Sequence, residues 1–442
     1  MQPTYGTMTA SRSWVGVFVL SGCLFALGTG CSSAASSPPR LAAERGVAPH
    51  KGGEDDSGPY EVDPSWPQPV SPDLTWGRVS SIFAESPNRI FVLQSGMVPM
   101  AWKRLEGDRL KVATWTGGMP HRPLTQATHC ASTLTWGKGP FHCEIAADGK
   151  MVDSLVDQMS DPPGKRIEGA RWEHVLMVFD GQGRLVETWD QYKSLFGHPH
   201  QVTISPYDPE RHVWVVDSGS DQIFKFTNDG KKLVMAIGES RVPGNDQTHF
   251  NGPTFIAFLP NGDFYITDGY KNARVVKFSK DGQYIMEWGK PGKGPGEFNT
   301  VHGISIDGNG RVYVSDRANS RIQIFDLNGK YIDEWRDIRF PVYQAISKDR
   351  HVWISDGTNN KMLKYDLNGQ LLYSWGNFGE RPGDFWCVHG FSVDSDGNLY
   401  TAEVYGGRPQ KFHPRKGADP NTLIGPLVSP GSLGLFDPPA KG

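Results

Sequence analysis

Five short runs of alternating apolar residues, each closing on an acid, constrain this chain more than anything else in it. They are Val213-Trp214-Val215-Val216-Asp217, Phe264-Tyr265-Ile266-Thr267-Asp268, Val312-Tyr313-Val314-Ser315-Asp316, Val352-Trp353-Ile354-Ser355-Asp356 and Leu399-Tyr400-Thr401-Ala402-Glu403. The acids stand 51, 48, 40 and 47 residues apart, the length of one four-stranded blade in a radial β-repeat. The middle units continue with a polar turn, a second β-rich run such as Arg321-Ile322-Gln323-Ile324-Phe325, and a turn carrying Asn-Gly or Asp-Gly. A third run then ends near Trp, as in Tyr284-Ile285-Met286-Glu287-Trp288-Gly289, so strand and hairpin signals recur in fixed order. A sixth unit is assembled from two separated pieces, Arg89 to Gln94 and His174 to Phe179, the second followed by Asp180-Gly181. The expectation is an all-β chain, a six-bladed β-propeller with a long insertion in its first blade, from about Ser95 to Trp172.

One propeller occupies most of the 442 residues, and 14 Trp, 14 Tyr and 22 Phe supply aromatic surface for the interfaces between blades. The expected organisation is an export signal over 1–31, a disordered tether over 32–70, the propeller over 71–425 and a C-terminal tail over 426–442. Arg12 precedes an apolar run from Trp14 to Leu20 that is too short to span a bilayer. Leu20-Ser21-Gly22-Cys23 matches the pattern cleaved before an acylated cysteine, and Gly28-Thr29-Gly30-Cys31 is a second candidate. A bacterial cell-envelope lipoprotein follows, touching membrane only through its lipid anchor, with an ordinary secreted protein as the alternative. The tether is rich in Ser, Ala, Pro, Gly and charge and buries too little apolar area to fold alone. A formal charge of −3 gives no footprint for nucleic acid. Cys130 and Cys143 lie in the insertion, where an oxidising compartment would allow a bridge. Cys387, near His389, reads as a buried inert thiol or a soft neighbour of a metal.

The chemistry rests on three histidines. His302 and His389 each stand 14 residues before their blade's acid, and His200 stands 17 before Asp217, with a longer turn from Ser205 to Glu210 absorbing the difference. They belong to alternate blades; the other blades carry Ser80, Thr254 and Val342 or Tyr343 at this position. Radial closure brings three imidazoles around one axis, and three nitrogen ligands leave a fourth position on zinc for water or substrate, the pattern of a catalytic site. Histidines satisfied by water and backbone carbonyls at a polar channel mouth are the competing reading. His198, His212, His249 and His351 show no such placement.

The run Asp268-Gly269-Tyr270-Lys271-Asn272-Ala273-Arg274-Val275-Val276-Lys277-Phe278 and its copy from Asp316 to Phe325 resemble NHL repeats. Their recurring Arg274 and Arg321 read as inter-strand ties. The resemblance sharpens from Gly197-His198-Pro199-His200 through His249-Phe250-Asn251-Gly252-Pro253-Thr254, Pro295-Gly296-Glu297-Phe298 and Val301-His302 to Asp316-Arg317. This stretch looks like the core of the peptidyl-α-hydroxyglycine α-amidating lyases, closely over His198 to Phe325 and more loosely beyond. That resemblance implies a zinc held by His200, His302 and His389. It implies Tyr270 as the tyrosine that moves the hydroxyl proton, although an aromatic at a blade corner is as often core packing. It implies Arg317 as an arginine holding the substrate carboxylate, and release of an amide and glyoxylate.

Two departures stand out. The family's second carboxylate-binding arginine falls at Ser95, and the acid after the third histidine, a calcium ligand in the family, is Gly390. The backbone carbonyls of Val79 and Val202 match the remaining calcium ligands, but without a carboxylate that site is disfavoured. The family's disulfide positions carry Asn251 with Lys271 and Tyr313 with Ile324. The expected function is therefore a zinc-dependent carbon–nitrogen lyase acting on a peptide or small-molecule α-hydroxyglycine. The alternative is a non-enzymatic propeller that binds a protein, peptide or glycan in the cell envelope. Calcium-dependent lactone hydrolysis is a weaker idea that needs a carboxylate-rich channel.

Overall fold

The computed structural model describes residues 58–100, 170–336 and 338–427, with the backbone of two short paired strands, Cys143–Ile145 and Met151–Asp153. The export signal, the interior of the insertion with Cys130, and residues 428–442 lie outside the described residues, as does any Cys130–Cys143 bridge.

Six antiparallel four-stranded sheets form the expected propeller. Blade one is Val79–Ser86, Arg89–Gln94, Leu176–Phe179 and Leu185–Thr188, its middle strands flanking the insertion. Blade two is Pro199–Ile204, Val213–Asp217, Gln222–Phe226 and Leu233–Ile237. Blade three is Pro253–Phe258, Phe264–Asp268, Arg274–Phe278 and Tyr284–Trp288. Blade four is Val301–Ile306, Val312–Asp316, Arg321–Phe325 and Tyr331–Trp335. Blade five is Pro341–Ile346, Val352–Asp356, Lys361–Tyr365 and Leu371–Trp375. Blade six joins Val388–Val393, Leu399–Glu403 and Arg408–Pro414 to an outer strand from the other end of the chain, Tyr60–Asp63. The first strand of each blade packs on the first strand of the next, and blade six returns to blade one.

That outer strand corrects the sequence reading, which placed Tyr60–Asp63 in the tether and started the propeller at residue 71. An edge strand needs backbone pairing and few inward side chains, a signal four residues long that the composition of a polar stretch averages away. Here Tyr60 pairs opposite Pro414, is 1 % exposed, and its hydroxyl accepts the Ile424 N–H at 2.9 Å.

The acids of the repeat explain how each inner strand begins. Each is buried and accepts the backbone N–H of the residue that leads into its own blade's first strand. Asp217 binds Gly197 N, Asp268 binds Asn251 N, Asp316 binds Asn299 N, Asp356 binds Arg339 N and Glu403 binds Trp386 N, at 2.7–3.0 Å. In blade one Gln94 takes the role, its side-chain oxygen accepting Gly77 N at 3.1 Å. Two residues beyond that N–H, the first strand pairs with the marker, and immediately afterwards its register slips in a β-bulge. The residues that follow the pair are Ser80, His200, Thr254, His302, Val342 and His389. A bulge frees its residue from the ladder and turns it toward the axis, so six equivalent positions face one another. Arg274 and Arg321 complete the frame as expected, joining Asp268 to Glu287 and Asp316 to Glu334.

Tyr60→Ala tests the closure of the ring. Emptying this buried site and leaving Ile424 N without its acceptor should cost about 3–5 kcal/mol. The measurement is the urea midpoint, and an unchanged midpoint would mean that the N-terminal strand is dispensable.

Candidate functional site

The three bulged histidines meet on the axis. His200 and His302 are fully buried and His389 is 4 % exposed. Their ring centroids lie 4.6–5.0 Å apart, and one nitrogen of each lies within 4.8 Å of the other two. Each Nδ1 faces the carbonyl at the bulge of the next blade: His200 to Thr254 O at 2.7 Å, His302 to Val342 O at 2.6 Å, His389 to Ser80 O at 2.7 Å. A carbonyl only accepts, so Nδ1 carries the proton and Nε2 keeps its lone pair. Blades two, four and six supply imidazoles, and blades three, five and one supply the carbonyls that orient them. Burial first, and then neighbouring positive charge, hold the rings neutral: His389 is pushed down to about 3, and His200 and His302 well below the ordinary imidazole value. Three neutral, oriented nitrogen donors fit a metal ion, so the site can hold one.

Tyr270 is delivered over this triad by two glycines. Gly252, at φ +78°, accepts the Tyr270 N–H at 3.0 Å, and a Cβ there would stand 2.6 Å from the tyrosine's own Cβ. A Cβ on Gly269 would stand 1.7 Å from Val301 O, so only glycine lets this turn pass against the strand carrying His302. The Tyr270 hydroxyl consequently lies 2.9 Å from His200 Nε2 and 3.4 Å from His302 Nε2. Arg317, 7 % exposed, lies with its guanidinium 5.3 Å from the Tyr270 ring centre and 4.8 Å from that of Phe340. No carboxylate pairs with it among the described residues, and its Nε is buried without a hydrogen-bond partner there. Phe255 fills the axis against the imidazoles, 4.9 Å from His200 and 5.0 Å from His302, and stacks on Tyr343, which packs in turn on Phe391.

One neighbour escaped the sequence reading. His198 lies 6.2 Å from both the His200 and Tyr270 rings, its Nδ1 2.7 Å from Ser218 Oγ, and burial followed by the Arg78 charge pushes it down to about 3. The signal was its spacing: it precedes its ligand candidate by two residues, as Thr300 and Cys387 precede theirs. Cys387 is buried and its thiol is pushed up to about 12 by burial, so it sits beside the site as an inert group. Ser81 Oγ donates to Val202 O at 3.4 Å, Gly390 offers no carboxylate, and the one cluster of metal-ligating side chains among the described residues is the histidine triad. Ser95, 4 % exposed, donates its N–H to Arg78 O at 2.9 Å.

Fold and site together define a six-bladed β-propeller with three converging imidazoles at its axis. Comparison with known proteins agrees: a family model described as a 6-bladed beta-propeller (DUF5128) matches residues 245–346. The chain is 40 % identical over 159 residues to a probable peptidyl-alpha-hydroxyglycine alpha-amidating lyase of Caenorhabditis elegans, covering 35 % of this chain and 45 % of that protein. It is 32 % identical over 173 residues to peptidyl-glycine alpha-amidating monooxygenase B of Xenopus laevis, covering 38 % of this chain and 19 % of that protein. It is 31 % identical over 216 residues to human NHL repeat-containing protein 3, covering 46 % of this chain and 58 % of that protein. The chain spans less than two thirds of each relative's length, and the homology to both groups is partial and of modest identity.

Neutral buried imidazoles set a pH dependence. Unfolded, they titrate near pH 6.5; folded, they titrate well below it. Below about pH 6.5 the unfolded chain therefore binds protons that the native protein refuses, and metal-free protein loses stability as pH falls. Each imidazole contributes a slope of up to about 1.4 kcal/mol per pH unit. His389→Gln should flatten the fall by about that slope between roughly pH 6 and pH 4, as read from urea midpoints of chelator-treated protein. Equal slopes would mean that His389 is protonated in the native state.

Proposed function

We propose that the protein is a zinc-dependent carbon–nitrogen lyase that cleaves an α-hydroxyglycine-type substrate to an amide and glyoxylate. The observation that carries the reading is a buried guanidinium, with no carboxylate partner among the described residues, beside three neutral imidazoles and a tyrosine hydroxyl. The partial homology to amidating lyases supports it. His200, His302 and His389 would hold the zinc, which supplies Lewis acidity toward a hydroxyl oxygen when bound.

The chain's own residues account for the rest. Arg317 presents a planar fork to the substrate carboxylate and, being buried and stacked on two rings, fixes that end of the molecule. Tyr270, whose hydroxyl already meets two imidazole nitrogens, is placed to move the carbinol proton. As that proton leaves, the carbon–oxygen double bond of glyoxylate forms, the carbon–nitrogen bond breaks, and the departing nitrogen gains a proton to become the amide. Phe255 and Tyr343 keep the floor of the site apolar, which strengthens each charge interaction above it. The N-terminal signal supports placement in the bacterial cell envelope as an exported, lipid-anchored protein.

Purified protein should carry about one zinc per chain and release glyoxylate from N-acyl-α-hydroxyglycines. His302→Ala should lose the metal. Tyr270→Phe should keep it while turnover falls about 10²–10⁴-fold, and Arg317→Met should raise KM. Folded, metal-free protein with full activity would sink the proposal.

The similarity to human NHL repeat-containing protein 3, which covers more of this chain than the lyases do, favours a second reading, a binding propeller in the envelope. That reading expects Tyr270→Ala and Arg317→Ala to leave partner binding intact, with no glyoxylate from any substrate.

A further inference from the structure

His198 is held beside the triad by the same device that delivers Tyr270. A Cβ on Gly219 would stand 2.4 Å from His198 N, and one on Gly197 would stand 2.7 Å from the carbonyl carbon of Gly219. Two glycines thus let the strand entrance and the turn after Asp217 pass against each other. Asp217 Oδ1 accepts His198 N at 3.1 Å, and His198 O accepts Ser218 N at 3.0 Å and the Ser218 hydroxyl at 3.1 Å. A hydroxyl has one proton, and this one is committed to His198 O, so in the 2.7 Å contact between the imidazole and Ser218 Oγ it is Nδ1 that donates. No carboxylate meets the ring among the described residues, and at neutral pH such an imidazole is uncharged. The lone pair is therefore on Nε2.

That nitrogen has no protein partner among the described residues, and its ring is partly exposed where the three imidazoles of the triad are buried. The ring lies 6.2 Å from the His200 ring and 6.2 Å from the Tyr270 ring, and those two meet through the 2.9 Å contact between the Tyr270 hydroxyl and His200 Nε2. His198, His200 and Tyr270 form one corner of the site, yet His198 stands outside the group of nitrogens that converge for a metal. A fixed acceptor beside the reacting groups calls for a donor on the ligand. An N-acyl-α-hydroxyglycine brings a carboxylate, which Arg317 takes, and a carbinol, which belongs to the triad and Tyr270. Of its remaining polar groups the acyl carbonyl only accepts, and the amide N–H is the one donor.

We propose that His198 Nε2 accepts the amide N–H of the substrate, which makes His198 a specificity-determining residue and Ser218 the residue that positions it. The proposal rests on the lyase reading and narrows its substrate class to secondary amides, α-hydroxyglycines that keep a hydrogen on nitrogen. An N-alkylated substrate leaves Nε2 without its donor and sets a carbon against it. The nitrogen held in this way is the one whose bond to carbon breaks, so the contact also fixes the scissile bond beside Tyr270.

N-acetylglycine and levulinate test the contact, since they share an acetyl group and a carboxylate and differ only in an N–H against a CH2. By calorimetry on the protein as purified, N-acetylglycine should bind about tenfold more tightly. His198→Phe should bring that ratio to about one with zinc content unchanged. His198→Gln, whose side-chain oxygen reaches the place of Nε2, should restore most of it, and Ser218→Ala should fall between. Equal affinities in the native protein, or a ratio unchanged in His198→Phe and in Ser218→Ala, would overturn the proposal. Glyoxylate release from N-acetyl-α-hydroxyglycine, measured alongside, would show the lyase reading surviving that result. If neither ligand binds, the contact is overturned as well, and absence of glyoxylate then takes the lyase reading with it.

Discussion

The interaction on which this molecule depends is the hydrogen bond that the backbone N–H at the entrance of each blade donates to a buried carboxylate, or in one blade to an amide oxygen. It recurs in all six blades with little change in length. Buried acids are costly unless their oxygens are satisfied, and here backbone N–H groups, asparagines and arginines satisfy them. Because the acid also pairs opposite the residue just before the bulge, it sets where the ladder slips. The strand therefore turns a side chain inward at the same height in every blade. The centre is a by-product of that repetition, decided by which residue each blade carries at one position.

Alternation does the rest. Imidazoles in alternate blades each find the backbone carbonyl at the bulge of the next blade. Orientation of the rings thus comes from backbone carbonyls, and among the described residues no acidic side chain is hydrogen-bonded to the three imidazoles. Burial keeps the triad neutral, and among the described residues no carboxylate pairs with Arg317. The site sets one guanidinium beside uncharged donors, an arrangement complementary to an anion with a polar oxygen near it.

Much of this was legible in the sequence because the repeat carries its own register. The five acid-terminated runs marked the blades, and histidines 14, 14 and 17 residues before their blades' acids marked the triad. The split blade was recoverable because Arg89–Gln94 and the strand ending at Phe179 each kept β-pattern, and they pair as neighbours. What was missed had no such marker. The Tyr60–Asp63 strand is short and sits in polar surroundings. His198 is offset from the triad by two residues, and only the turn of the strand entrance brings it to the mouth.

Phe255, Tyr343 and Phe391 lie one or two residues further along their strands than the bulges and pack on one another, with Phe255 also against all three imidazoles. Every bulge that frees a carbonyl or an imidazole is thus followed closely by a residue of the same inner strand, and in three blades that residue is aromatic. The rings brace the imidazoles from the side, so a change of one aromatic there would tilt a nitrogen donor without touching it.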